Sequence, residues 1–221
     1  MTDTRACEQC GASFAPRREH ARFCSARCRV TWNREKTGDA AAGASALQWS
    51  ITAMTDTTDR LPRARAWDRP RALAVIGEAV WWVTIVDATL LRHHPGEYDA
   101  VMAGRTPAER RLIEGSLAGL RFVRNQIGQE TDLSEFIEPA APGRGTGKAR
   151  VTAWTWKPVP EPAVASLPPR GQVWEMARYR AYQDHLVGHT IGETFERAAA
   201  FLRLTATSMP PLTDFGAYSR R

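Results

Sequence analysis

Between residues 73 and 91 the chain reads LAVIGEAVWWVTIVDATLL. Ile76, Val80, Val83, Val86 and Leu90 recur at steps of three and four, the spacing of one helical face, and Trp81, Trp82 and Ile85 widen that face. The pattern predicts a core helix that starts near Arg71, is wrapped by others, and is broken at HHPGEYD, where Pro95 and Gly96 favour a turn. Thr106-Pro107-Ala108-Glu109 is a capping box with proline at the first helical position. It predicts a helix to about Ile127, with Ile113, Leu117, Leu120 and Ile127 facing the core. Two more helices are expected, one from about Gln172 to Val187 and one capped by Thr190-Ile191-Gly192-Glu193 that turns Ile191, Phe195, Ala198 and Leu202 inward.

Strand-like alternation is confined to VTAWTW, which sets Trp154 and Trp156 on one face. KPVPEPAVASLPPR is too rich in proline for a helix and reads as an extended arm packed along the helical core. PAAPGRGTGKAR, residues 139 to 150, reads as a mobile loop; its GRGTGK lacks the spacing and the Ser or Thr of a P-loop, and no GxGxxG or GxSxG occurs. The stretch from Thr37 to Pro70, rich in Ala, Gly, Thr and Ser, reads as a linker with a short helix around Ala44 to Met54. The expected organisation is a cysteine-bearing module over 1–36, a linker over 37–69, a mainly helical domain over 70–208 and a fraying tail over 209–221.

Charge changes this picture at one place. The net charge is +6 over 221 residues, but the window from Arg5 to Lys36 holds eight basic and three acidic residues, so +5 of the total sits there. A basic module suits a polyanion, because phosphate binding is driven by Arg and Lys displacing condensed counterions. Nearly all the basic residues are Arg (the lysines are Lys36, Lys148 and Lys157), a skew that GC-rich coding also produces. The apolar run 73–91 is long enough to span a bilayer, yet Glu78 and Asp87 lie nine residues apart and so on opposite helix faces. A buried core helix is the better reading, and no membrane partner is expected. MTDTRACEQC lacks the apolar stretch of a signal peptide, so the expected location is cytoplasmic.

The chain's four cysteines lie in CEQCGASFAPRREHARFCSARC, spaced Cys7-x2-Cys10-x13-Cys24-x3-Cys28. A Cys-x2-Cys knuckle converges two sulfurs on one ion, and tetrahedral Zn²⁺ needs two such pairs. Gly11 stands where the knuckle must turn, and Phe14 and Phe23 supply apolar cover. Ser25 is placed to cap a helix from about Ala26 to Lys36, with Cys28 in its first turn, where free N–H groups and the helix dipole favour a thiolate. Two disulfides would require an oxidising compartment, and a redox Cys-x-x-Cys a βαβ context that is missing here. The expectation is one structural Zn²⁺ in a closed shell of Cys7, Cys10, Cys24 and Cys28, with His20 left at the surface. Bound zinc would leave the four thiolates a net −2 and cut the local excess to +3.

CxxCG, an aromatic three residues after the glycine, an FCS tripeptide and a following basic helix together resemble the FCS-type treble-clef zinc fingers. The likeness covers about residues 5–36 and is greatest to short N-terminal modules of bacterial proteins. It implies Zn²⁺ on the four cysteines and nucleic-acid contact by the surrounding Arg17, Arg18, Arg22, Arg27, Arg29 and Arg34. The fold class expected is therefore mainly α: a small treble-clef module, then a helical bundle with a short strand and a Pro-rich arm.

Arg124 falls on an apolar helical stripe, which calls for a partner, a helix interface or a function. With Asn125, in LRFVRNQIGQ, it gives a faint resemblance to HEPN-type helical domains, whose ribonucleases use Arg-x(4–6)-His. Here an x4 spacing from Arg124 reaches Gln129, which has no acid-base chemistry, and the literal matches from Arg180 and Arg178 to His185 are as many as chance supplies. Three functions stay open: a non-catalytic nucleic-acid-binding or regulatory protein, a HEPN-like ribonuclease or its inactive relative, and a scaffold binding a protein partner.

Overall fold

A computed structural model describes residues 4–16, 21–36, 39–64, 68–129, 131–140 and 154–209, and of residues 31, 33–36 and 39–45 it describes the backbone alone. The loop expected over 139–150 falls almost entirely outside the described residues, as does the tail beyond 209. The chain is mainly helical and clusters into two compact units, the division falling between Gln48 and Trp49.

The N-terminal unit begins with a hairpin of β1 (Arg5–Ala6) and β2 (Ser13–Phe14), paired Arg5 to Phe14 and Ala6 to Ser13. Helix α1 (Ala26–Lys36) follows. The segment expected to be mostly linker is a longer helix than that reading allowed, α2 (Asp39–Arg60), which belongs to the second unit from Trp49 onward and is ended by a single turn over Leu61–Arg63. Leu47, Ser50, Met54 and Thr57, three or four residues apart, form a buried stripe along it, and the Thr57 and Thr58 hydroxyls find acceptors in the carbonyls of Ala53 and Met54. Its first half carries strong local propensity, with Ala40, Ala41, Ala42, Ala44 and Ala46 interrupted only by Gly43 and Ser45, and burial holds its second half.

The second unit is built on α3 (Arg69–His93), α4 (Pro95–Ala103), α5 (Pro107–Ile127), α6 (Pro169–His185) and α7 (Ile191–Ser208). The break at HHPGEYD shrinks to one residue, His94, because Pro95 opens a new helix at its first position instead of a turn. Helix α5 ends at the expected residue and packs against α3, α6 and α7. Ile113, Leu117 and Leu120 are buried; Ile127 is only half-buried. Gly115 and Gly119 explain how closely α6 approaches. A Cβ at Gly119 would stand 2.7 Å from Leu186 Cδ1 and 3.1 Å from Tyr182 Cα, and one at Gly115 would strike the His185 ring. A glycine pair four residues apart thus forms the seam of the bundle.

Trp154 and Trp156 are buried as the alternation implies, in β4 (Trp154–Trp156), which pairs antiparallel with β3 (Ile137–Pro139), a strand that the sequence pattern does not announce. The Trp156 indole N–H donates to Thr194 Oγ1 at 3.1 Å, tying the hairpin to α7. Phe122 centres an aromatic cluster, its ring 5.5 Å from those of both Tyr179 and Tyr182 and 6.1 Å from Phe136. Such pairs add about 0.5–1.5 kcal/mol each beyond area burial. The Pro-rich arm lies along α6, where the Tyr179 hydroxyl and the Gln183 amide both donate to the Val159 carbonyl.

Both capping boxes form. Thr106 and Glu109, and Thr190 and Glu193, exchange reciprocal hydrogen bonds at the starts of α5 and α7. These bonds hold both glutamates below their usual pKa, so the stabilisation is present above the unfolded value and is lost as pH falls through the folded one. Thr190→Ala is expected to lower stability by about 1 kcal/mol in urea denaturation at neutral pH, and by less in acid low enough to protonate Glu193 in the folded state.

Candidate metal centre

The hairpin turn between β1 and β2 is a knuckle. The Gly11 N–H donates to the Cys7 carbonyl and the Cys7 N–H to the Ala12 carbonyl, both at 2.9 Å, and Gly11 has φ of +71°, a conformation glycine takes without strain. This bend turns Cys7 and Cys10 toward the same point. The second cysteine pair is set by α1. Ser25 Oγ accepts the Cys28 N–H at 3.2 Å and the Ser25 carbonyl accepts the Arg29 N–H, the geometry of an N-cap, so Cys28 occupies the first turn as expected. The halves meet where the Glu8 N–H donates to the Arg22 carbonyl at 3.1 Å and the Cys24 N–H to Cys7 Sγ at 3.4 Å.

All four sulfurs lie within 4.8 Å of one another. Cys24 Sγ is 3.7 Å from Cys10 Sγ and 3.5 Å from Cys28 Sγ, and all four cysteines are free thiols. A tetrahedron with metal–sulfur bonds of about 2.3 Å has edges of about 3.8 Å, so the quartet could close on one metal ion with shifts of no more than about 1 Å along any edge.

Protonation gives the same answer. Burial opposes ionisation of Cys7, but N–H donors from Cys24, Cys10 and Gln9 outweigh it and hold the thiol down to about 6. Cys24 is pushed up to about 12 because its proton is shared with Cys28, Cys10 and Cys7. Metal-free, the cluster favours a thiolate at Cys7 and a retained proton at Cys24. A divalent cation replaces that proton, stabilises the remaining thiolates and makes its own binding weaker in acid.

The arginines divide. Arg22 is engaged inside the module: its Nε donates to Glu8 Oε1 at 2.6 Å, a second nitrogen meets Glu8 Oε2, and its guanidinium lies 4.5 Å from the Trp32 ring centre. Phe23 and Trp32 lie tilted against each other with ring centres 5.3 Å apart, and Phe14, Phe23 and Trp32 are all half-buried. Arg27 and Arg29 are exposed on α1. Arg17, Arg18, His20 and the Arg34 side chain lie outside what the structure describes.

In the second unit Arg124 takes the helix-interface alternative, its guanidinium 4.8 Å from the Trp81 ring centre. The Asn125 and Gln126 amides donate to the two oxygens of Glu175, at 3.0 and 2.9 Å, and Arg178 stands 3.6 Å from that buried carboxylate. Neither Arg124 nor Asn125 is presented as a free catalytic group. The charged site that sequence reasoning missed is Asp87, fully buried in α3 and held by Arg121 Nε at 2.6 Å and by the Tyr98 hydroxyl at 2.9 Å. Its presence in an apolar run was the available signal. Glu78, the other acid of that run, is exposed and paired with Arg60. Helix α3 is apolar and long enough to cross a bilayer, but about half of its most apolar stretch is buried in the bundle, which is compatible with a soluble protein.

Comparisons with family models, with curated proteins and with solved structures return no match. The functional reading therefore rests on the cysteine quartet and its surroundings.

Proposed function

We propose that this is a non-catalytic zinc protein whose N-terminal module is a treble-clef-like finger that contacts nucleic acid. The observation that carries the reading is the sulfur quartet, with edges of 3.5 and 3.7 Å where they are in contact. Four thiolates in a tetrahedron suit Zn²⁺, and a shell complete in protein ligands leaves no position for a catalytic water, so the metal's role is structural. The resemblance to FCS-type fingers supports the same choice of metal. Cytoplasmic location remains part of this reading.

Nucleic-acid contact is supported by the basic excess around the metal and by the exposure of Arg27 and Arg29 on α1. Arg22 is a poor probe, because its removal would also unpair Glu8 and uncover Trp32. Replacing Arg27 and Arg29 by Ala is expected to weaken binding to duplex DNA or RNA and to reduce the slope of log affinity against log salt by about 1.8, roughly 0.9 per lost phosphate contact. Unchanged affinity and slope in the zinc-loaded variant would remove the polyanion from this reading.

A protein-partner scaffold draws support from one observation, the exposure of Val173 and Trp174 side by side on α6, at 67% and 63%. A partner that stays bound after nuclease treatment and is lost with Trp174→Ser would favour it. A HEPN-like ribonuclease gains no support from the engaged positions of Arg124 and Asn125.

A further inference from the structure

The groove between α5 and α7 joins an apolar lining to two arginines. It encloses about 250 Å³ over the buried side chains of Ile113 and Phe201, with Leu112 on one wall and Ala200 on the other. Leu112 is 37% exposed, and Leu204, one turn beyond Ala200, is 44% exposed, so apolar surface at and beside this groove faces water. Arg105 and Arg197 both line it, and both are half-buried. Arg197 Nη1 donates to the neutral Ser116 hydroxyl at 3.1 Å. Arg105 makes no side-chain hydrogen bond and has no carboxylate within ion-pair distance among the described residues; it feels Glu109 only through space. Glu109, the one acid in the lining, already accepts the Thr106 N–H and hydroxyl on a single oxygen, both at 2.8 Å.

Two guanidinium groups thus share an apolar groove with one carboxylate committed to a helix cap. We propose that the groove binds a small amphiphilic carboxylate, its head meeting Arg105 and Arg197 and its apolar body lying on Leu112 and Ala200. A half-buried guanidinium gains most from a charged acceptor, and a carboxylate accepts in the fork geometry arginine offers. At about 30 Å³ per water, the space holds about eight water-sized groups, the scale of a medium-chain acid and too small for a docked helix. The inference goes beyond the metal and polyanion reading and does not depend on it.

Octanoate and octylammonium, equal in chain length and opposite in charge, are the probes, titrated into the full zinc-loaded chain with calorimetry and Leu methyl NMR. Octanoate is expected to bind one site with a Kd of about 1 mM, reasonable for about ten heavy atoms, and to shift the Leu112 methyls. Octylammonium is expected not to bind there. Arg105→Gln with Arg197→Gln should weaken octanoate at least about tenfold, while Arg105→Lys with Arg197→Lys, which keeps the charge and loses the fork, should fall between the Gln variant and wild type. If the double variant unfolds, Arg105→Gln alone serves, since that residue lies in the turn before α5 and should weaken octanoate by itself. Equal binding of both probes, binding undiminished in folded Gln variants, or no saturable octanoate site would each overturn the proposal, even if a macromolecular partner were found to cover the groove.

Discussion

Cys24→Ser is expected to take the protein from about one bound Zn²⁺ per chain to almost none, and to unfold the N-terminal module with it. Among the four cysteines Cys24 is the shared vertex: its sulfur touches Cys10 and Cys28, and its N–H reaches the sulfur of Cys7. A serine hydroxyl at that position stays protonated and cannot replace a thiolate. The rest of the module has little to hold it: Phe23 on Trp32, the Glu8–Arg22 pair, and a hairpin of two residue pairs. Structural zinc supplies about 10–16 kcal/mol in comparable small folds at neutral pH, more than those contacts return. Metal analysis and hydrogen exchange over residues 5–36 would read the effect together. The helices of the second unit should keep their protection, because their core is made within residues 49–211. Retention of zinc by the variant, or a metal-free wild-type module with full amide protection, would refute the structural role.

What the sequence displays well is whatever depends on local chemistry. The capping box at Thr106 predicts the first residue of α5, Gly11 the left-handed turn, and Ser25 the start of α1, because each supplies a backbone group with a partner a few residues away. The spacing of the cysteines is legible for the same reason. What it hides are features decided at long range. Residues 39–60 look like linker because Gly, Thr and Ser mask both the helix-forming alanines of the first half and the buried stripe of Leu47, Ser50, Met54 and Thr57 in the second. Pro95 and Gly96 read locally as a turn, and the packing of α4 against α3 and α7 makes Pro95 a helix start instead. The Gly115–Gly119 seam is another such feature, because it depends on Leu186 and His185, about 70 residues away. Arg22 illustrates the limit for function: its charge is readable, while its engagement with Glu8 and Trp32 is a fact of three dimensions.

Arg121→Met should cost the bundle about 3–5 kcal/mol, the largest loss expected of any single change outside the metal site. Asp87 is fully buried, and burial raises its pKa against the opposing pull of Arg121 and the Tyr98 hydroxyl. Removing the guanidinium leaves Tyr98 as its remaining hydrogen-bond donor, and Tyr98 is itself resistant to ionisation through burial and the nearby carboxylate. Because the native pKa of Asp87 lies above its unfolded value, the native state binds more protons, and this group's contribution to stability falls as pH rises. Loss of Arg121 drives that pKa further up. The penalty should therefore shrink as pH is lowered from 8 toward 5, as Asp87 takes up a proton and becomes a neutral hydrogen-bonding group. Urea denaturation of wild type and variant at both pH values measures this difference directly, and the carboxylates common to both proteins cancel. Combining Arg121→Met with Asp87→Leu should recover part of the loss, since an apolar pair replaces a buried ion pair while the Tyr98 hydroxyl loses its acceptor at a cost of about 1–3 kcal/mol. A penalty independent of pH, or one undiminished in the double variant, would mean that Arg121 acts through the packing of its aliphatic stem and not through the charge it neutralises in α3.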